Sequence, residues 1–325
     1  MEERSKFTNT QKACFGVPIL FLIFNRPDTT KQVFEEIRKA APQKLYVASD
    51  GPRENREEEK EKVEAIREYI LESINWDCEV KTLFREKNLG CGKGPAQAIT
   101  WFFENEEMGI ILEDDCLPSQ SFFSYCEELL KKYEFDSRIY HIAGFNPLTI
   151  TETPLNSSYY FARIEHCWGW ASWRRAWKEY SFEIIDLDDF IKKNTIKKVF
   201  NRKEAQKYWI NLFKNIPKGE KDFWDFQWTY SIFKNEGVCI NPAKNLVSNI
   251  GFGEEATHTK DKNTVFCNQK RYEIDTIIHP DIITIDNHII NEINKKAFGI
   301  HWYYYFKKKI KQVLRRIINY KNPHF

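Results

Sequence analysis

Residues 108–112, Met-Gly-Ile-Ile-Leu, run straight into three consecutive carboxylates, Glu113, Asp114 and Asp115. A short apolar run cut off by charge reads as a strand buried on both faces and ending at the rim of a parallel sheet. Ligands of open α/β sheets bind beyond the carboxyl ends of the strands, so these acids fall where a site is expected. Side by side they repel one another. A divalent cation would relieve that repulsion, and oxygen ligands suit Mn²⁺ or Mg²⁺. The competing reading is a solvated acidic loop that holds no metal.

The preceding chain repeats the same grammar. Residues 18–24 (PILFLIF) are a continuous apolar strand, closed by Asn25-Arg26-Pro27-Asp28, in which Asp28 can cap a helix carrying Val33, Phe34 and Ile37. A second strand over 45–48 ends at Ser49-Asp50-Gly51-Pro52. Val63, Ile66, Ile70 and Ile74 then recur at helical spacing, with acids in the early turns that favour the helix dipole. Residues 78–84 alternate as a third strand, and Pro95 is expected to open a helix facing inward with Ile99, Phe102 and Phe103. Strands alternating with helices give an α/β fold, a mostly parallel central sheet with helices on both faces.

The pattern changes after residue 150. A strand-like stretch over 159–164 leads into Cys167-Trp168-Gly169-Trp170-Ala171-Ser172-Trp173-Arg174-Arg175, where Gly169 implies close packing and at least one buried tryptophan. Trp168, Trp170 and Trp173 are either sugar-stacking rings or core; Arg174 and Arg175 read as surface or anion-facing charges. A polar helical stretch follows over 186–218, and a strand over 237–240. The expected organisation is a polar extension over 1–16 and a catalytic domain over 17–275. That domain divides into a donor half (17–150) and an acceptor half (151–275), and a tail covers 276–325.

Bulk properties narrow the classes. The 325 residues, 42% hydrophobic and 15% aromatic, suffice for a large core, and a net charge of +2 gives no reason to expect nucleic acid as partner. Eight scattered cysteines without a C-x-x-C pair fit reduced thiols, and with no apolar leader this suggests a cytoplasmic protein. Gly90-Cys91-Gly92-Lys93-Gly94-Pro95 fails the dinucleotide fingerprint at Pro95 and the Walker pattern at Gly94. A bound diphosphate is therefore expected to be held through a metal on the carboxylate cluster instead of a glycine cradle.

Residues 18–27, Ser49-Asp50-Gly51, Arg85 with Asn88-Leu89-Gly90, and Leu112-Glu113-Asp114-Asp115 resemble, in order, the first half of GT-A nucleotide-sugar glycosyltransferases. The Trp168–Arg174 block is similar to that of bacterial haemolysin-like (HlpA-type) glycosyltransferases. The Glu-Asp-Asp motif resembles that of the N-acetylglucosaminyltransferases that begin complex N-glycan branches. The resemblance covers about residues 17–260. It implies a GT-A fold, a metal-dependent and inverting sugar transfer, a nucleoside diphosphate-sugar donor such as a UDP-sugar, and a glycan or lipid-linked glycan acceptor.

The resemblance also implies roles. Asp115 would ligate the metal, and Glu113 and Asp114 would reach the ribose, the sugar or metal-bound water. Asp50 would bind the pyrimidine, and Asn25 and Arg26 would flank it. Arg85 and Lys93 would lie along the nucleotide, although Lys93 reads equally well as surface charge. The acceptor hydroxyl needs a base. Asp225, set among Phe223, Trp224 and Phe226, matches the acid that the resembled family keeps in a Trp-Asp context, and Asp222 is the reserve. His258 is a further candidate metal ligand, weighed evenly against a structural role. The rival readings are a sugar-phosphate nucleotidyltransferase and a non-catalytic glycan-binding protein.

Residues 301–320 carry six basic residues, Lys307, Lys308, Lys309, Lys311, Arg315 and Arg316, and no acid. Tyr303, Phe306, Ile310, Val313, Leu314 and Ile317 share helical spacing, which suits an amphipathic helix at the inner membrane surface or on a partner. Deleting residues 301–325 is expected to move the protein out of the membrane fraction; unchanged fractionation rejects the membrane reading.

Overall fold

The computed structural model describes residues 15–54, 56–148, 156–216, 222–253 and 264–300. His258 and the basic stretch 301–320 lie outside the described residues.

The first half is built from β1 (Ile19–Ile23), α1 (Pro27–Ala40), β2 (Lys44–Ser49), α2 (Glu57–Ser73), β3 (Glu79–Phe84), α3 (Gly90–Asn105) and β4 (Met108–Glu113). β1 pairs in parallel with β2 on one side and with β4 on the other. β3 lies outside β2. The strand order therefore runs outward from β1 to β3 and then returns to place β4 on β1's other flank. The crevice at such a reversal is where open α/β sheets bind ligands.

β1 is apolar throughout because both of its faces are covered. Ile19, Phe21 and Ile23 join the cluster that includes Val33, Phe34 and Leu129; Leu20 and Leu22 join the opposite cluster with Ile99, Phe102 and Trp170. Successive side chains point to opposite faces, so a doubly covered strand cannot alternate with polar residues.

The second half comprises β5 (Cys116–Pro118), α4 (Gln120–Lys132), β6 (Ile139–Ala143), β7 (Tyr159–Ala162), β8 (Trp170–Trp173) and α5 (Arg174–Trp177). It continues with α6 (Leu187–Lys192), α7 (Ile196–Val199), α8 (Lys203–Asn215), α9 (Asp225–Lys234), β9 (Val238–Pro242), β10 (Val247–Asn249) and α10 (Asn287–Phe298). Among the described residues the main sheet has eight strands in the order β3-β2-β1-β4-β8-β6-β9-β7. β8 runs antiparallel to β4 and β6, and β7 runs antiparallel to β9. The expected α/β class holds. β5 and β10 form a separate antiparallel pair just past the acids.

Several local expectations are corrected. α3 begins at Gly90 instead of Pro95, because Asp50 accepts the Leu89 and Gly90 N–H groups and so supplies the start from another strand. Arg26, not Asp28, stands at the N-cap of α1; Pro27 takes the first helical position, and Asp28 lies in the first turn. The stretch 186–218 divides into α6, α7 and α8. Trp170 and Trp173 are buried in β8, as core. Arg174 and Arg175 serve the backbone: Arg175 donates to the carbonyls of Glu134, Ile139 and Tyr133, and Arg174 bonds Phe103 O and pairs with Glu107.

Residues 276–300 are no loose tail. Ile278 O accepts from Ser158 N, Ile285 bridges to Phe161, and Trp209 Nε1 donates to the buried Asn294 Oδ1 at 3.1 Å. Upstream of them, the Glu273 carboxylate accepts the Gln120 and Ser121 N–H groups and so caps α4.

Gly109 lies where α3 crosses β4, and any Cβ there would overlap the Phe102 ring. Gly109→Ala is expected to lower the unfolding free energy by about 1–3 kcal/mol through overpacking, read from urea unfolding at constant m.

Candidate nucleotide-binding site

A cleft of about 270 Å³ opens at the carboxyl ends of β1, β2 and β4, against the first turns of α3. Its walls bring together Arg26, Asp50, Arg85, Glu113, Asp114 and Asp222 from five separate stretches of chain, with Phe24 and Arg53 beside them. Asn25, Lys93, Asp115 and Asp225 do not line it. Lys93 is exposed on the outer side of α3, the placement expected of a surface charge.

Asp50 sits at the closed end. Its Oδ2 accepts from Leu89 N at 2.8 Å and Gly90 N at 3.1 Å. Its Oδ1 is buried and has no hydrogen-bond partner. Burial raises its pKa, while the amides of Leu89, Gly51 and Gly90 favour the anion. A buried acceptor without a donor, in a residue that lines the cleft, is suited to a ligand N–H. Gly94 packs against the same carboxylate: a Cβ there would lie 3.2 Å from Asp50 Oδ2.

Asp222 fills the space over Gly90 and Gly92, where any Cβ would overlap its carboxylate, and Cys91 Sγ donates to the Asp222 carbonyl at 3.0 Å. The positive end of α3 is thus occupied by two carboxylates of the protein itself. These carboxylates stand where a phosphate cradle at that helix start would need its anion.

The loop after β2 and the first turn of α2 hold two further groups, Arg53 and Glu59, that the sequence motifs did not point to. Glu59 is 5% exposed and accepts from Asn25 Nδ2 at 2.8 Å, from Arg53 N at 2.7 Å and from the Arg53 guanidinium. Arg53 in turn lies over the Phe24 ring, 5.5 Å from its centroid. Asn25 therefore acts through Glu59, fixing Arg53 at the cleft wall. Arg53 follows directly on Ser49-Asp50-Gly51-Pro52, which was the available clue; Glu59 gave none, being one glutamate in a run of three.

At the opposite end, Arg26 takes hold of the acids. Its Nη2 lies 2.5 Å from Asp114 Oδ1, and its Nη1 lies 2.8 Å from Asp115 Oδ2. Phe24 N donates to Asp114 Oδ2 at 3.2 Å, and Cys116 Sγ lies 3.4 Å from Asp115 Oδ1. Against burial, which disfavours its charge, Asp114 and Asp115 hold the Arg26 guanidinium protonated. Burial and the charge of Asp115 raise the Glu113 carboxyl, with Arg26 opposing.

This donor set does not fit the divalent cation that the resemblance implies. The Asp114 oxygens are both engaged, the Asp115 Oδ2 expected to ligate metal is bonded to Arg26, and Gly251 closes over that pair so tightly that a Cβ would overlap both partners. Among the described residues no group of three or more His, Cys, Asp or Glu is arranged to hold a metal ion.

Asp225 opens α9 beyond the acids, with Cys167 Sγ 4.0 Å from its Oδ2, and its charge reaches Glu113. Glu165 lies behind it and was not singled out in the sequence. Its Oε1 accepts from Thr229 Oγ1 at 2.7 Å, and Oε2 has no hydrogen-bond partner. Burial and the Asp225 charge push Glu165 up to about 8, so at neutral pH it is largely the neutral acid.

No protein-family model and no curated protein sequence matches the chain. Solved structures align with parts of the chain. The mannosyltransferase PcManGT from Pyrobaculum calidifontis, in complex with GDP-Man and Mn²⁺, aligns over 51% of this chain and 48% of its own, at 13% identity and a TM-score of 0.36. A UDP-glucose pyrophosphorylase complexed with UDP-glucose aligns over 70% of this chain and 90% of its own, at 10% identity and 0.34. The inositol-1-phosphate CTP transferase from T. maritima aligns over 50% and 75%, at 9% and 0.31. This chain thus spans about half the length of the mannosyltransferase. At such identities none of these proteins assigns a role to a residue here.

The Glu59 network makes a pH-dependent contribution. Against burial, the bonds from Arg53 hold the Glu59 carboxyl below its ordinary value. The stability it adds is present above the unfolded-state glutamate pKa, about 4.3, and is lost as pH falls through the lower folded value. Glu59→Gln is expected to be less stable than the parent near neutrality, the gap closing in acid; chemical unfolding across pH checks this.

Proposed function

We propose that the chain is a glycosyltransferase that moves a sugar from a nucleoside diphosphate-sugar to a hydroxyl of a glycan or lipid-linked glycan. The supporting observation is the unpartnered Asp50 Oδ1 at one end of a switch-point cleft whose other end is the Arg26–acid cluster. An acceptor oxygen there suits the N–H edge of a pyrimidine, which favours a UDP-sugar. Arg26, Arg53 and Arg85 line the path that the diphosphate would take. Guanidinium groups suit phosphate through their planar donor geometry.

In the proposed reaction the acceptor oxygen bonds to the anomeric carbon as the bond to the diphosphate oxygen breaks. The hydroxyl proton passes to Asp225, and the diphosphate leaves against the arginines. Single displacement inverts the anomeric carbon and needs no protein nucleophile. Glu165, held neutral, places no second negative charge behind the base. The half-buried Trp168, in edge contact with Phe145, Phe252 and Phe266, lies beside Gly251 and supplies apolar surface where an acceptor sugar would approach.

The nucleotidyltransferase reading is disfavoured by the connection after β1. Only Phe24, Asn25 and Arg26 separate Ile23 from the start of α1 at Pro27, too few to wrap a triphosphate. No described helix is long and apolar enough to cross a membrane, so reaching a lipid-linked acceptor would depend on contact at the membrane surface.

The test is release of free nucleoside diphosphate from a panel of sugar nucleotides, run in EDTA, Mn²⁺ and Mg²⁺. The parent is expected to be active, and Asp225→Asn to lose about 10²–10⁴-fold in kcat. Pyrophosphate release from a nucleoside triphosphate plus sugar phosphate would establish the nucleotidyltransferase instead. A silent panel with tight glycan binding would establish a binding protein.

A further inference from the structure

We infer that the Arg26 guanidinium is the resident cation of this cleft, tying the acid tip of β4 to the diphosphate and letting the donor bind without a divalent metal. The inference rests on the nucleotide reading of the cleft and specifies what meets the diphosphate there.

Charge balance is the first reason. Asp114 is 2% exposed and Asp115 6%, and acids so deeply buried require a compensating charge. Arg26 supplies it through two ion pairs, and the pairs are locked from other directions by the Phe24 amide and by Gly251. Seating a metal on Asp115 would require that guanidinium to leave.

The second reason is valence. A guanidinium carries five N–H donors, and Arg26 commits one to each aspartate. Its side chain is 24% exposed and lines the cleft, so donors remain for phosphate oxygens. The third reason is that, among the described residues, the start of α3 offers no anion site, being taken by Asp50 and Asp222. The diphosphate is left with the arginine wall.

Binding of UDP, GDP and thymidine diphosphate to the full chain, measured by calorimetry in EDTA and in Mn²⁺, tests this. The tightest of them is expected to show a Kd in EDTA within about fivefold of that in Mn²⁺, a difference of about 1 kcal/mol or less. Mn²⁺ alone is expected to leave Tm unchanged. A larger loss in EDTA, or stabilisation by Mn²⁺ alone, overturns the inference while leaving the nucleotide cleft standing. No binding in either buffer overturns both. Arg26→Met is expected to lose diphosphate binding in EDTA and to gain thermal stabilisation by Mn²⁺ alone, because Asp114 and Asp115 are then free to take it. Unchanged binding in EDTA overturns the inference, and the parent comparison decides it even if the variant does not fold.

Discussion

One guanidinium from the end of β1 holds two carboxylates from the end of β4, and the cleft exists because of that grip. β1 and β4 are adjacent in the sheet, with Leu22 opposite Glu113. Without a cation between them, the acids emerging from β4 would repel one another inside a space that water barely reaches. With it, the chain after β1 can turn directly into α1, and the chain after β4 can continue as β5. β10 then pairs with β5, and Ile250 N donates to Asp115 O, bringing Gly251 down over the ion pair. The cleft and the β5–β10 pair therefore meet at a single electrostatic joint.

The strands of the first half were legible because burial on both faces forces continuous apolar runs, and Ile19–Ile23 and Met108–Glu113 admit few other readings. The cleft residues at their ends were named by the resemblance, and their position agrees: Arg26, Asp50, Arg85, Glu113 and Asp114 each sit just past a strand or at its last residue. What sequence could not show were partnerships across distance. Arg26 meets Asp115 89 positions later, and a motif reading assigned that aspartate to a metal. Glu165 is an ordinary acid in the sequence and becomes notable only when α9 packs Thr229 and Asp225 against it.

The second half was harder to read for a different reason. β8 is four residues, Trp-Ala-Ser-Trp, whose rings suit a sugar platform as well as a core. The decision comes from packing: Trp170 stacks on His141 at 5.0 Å and on Trp224 at 5.7 Å, leaving it no face for a ligand. The paired arginines after it resemble surface charge, yet Arg175 donates to three backbone carbonyls, those of Tyr133, Glu134 and Ile139. The half-buried Trp168 is the ring left beside the joint.

The insertion of β8 between β4 and β6 bears on how the chain is made. Until residues 170–173 leave the ribosome, β4 has one unpaired flank, a hydrophobic strand edge of the kind that recruits other chains. The first half, although it carries most of the cleft, thus leaves one flank of β4 open if it is cut at residue 150. Among the described residues its sheet is sealed there by β8 from the second half, so during synthesis the two halves must close together, and the exposed margin of β4 is where a chaperone would have reason to wait.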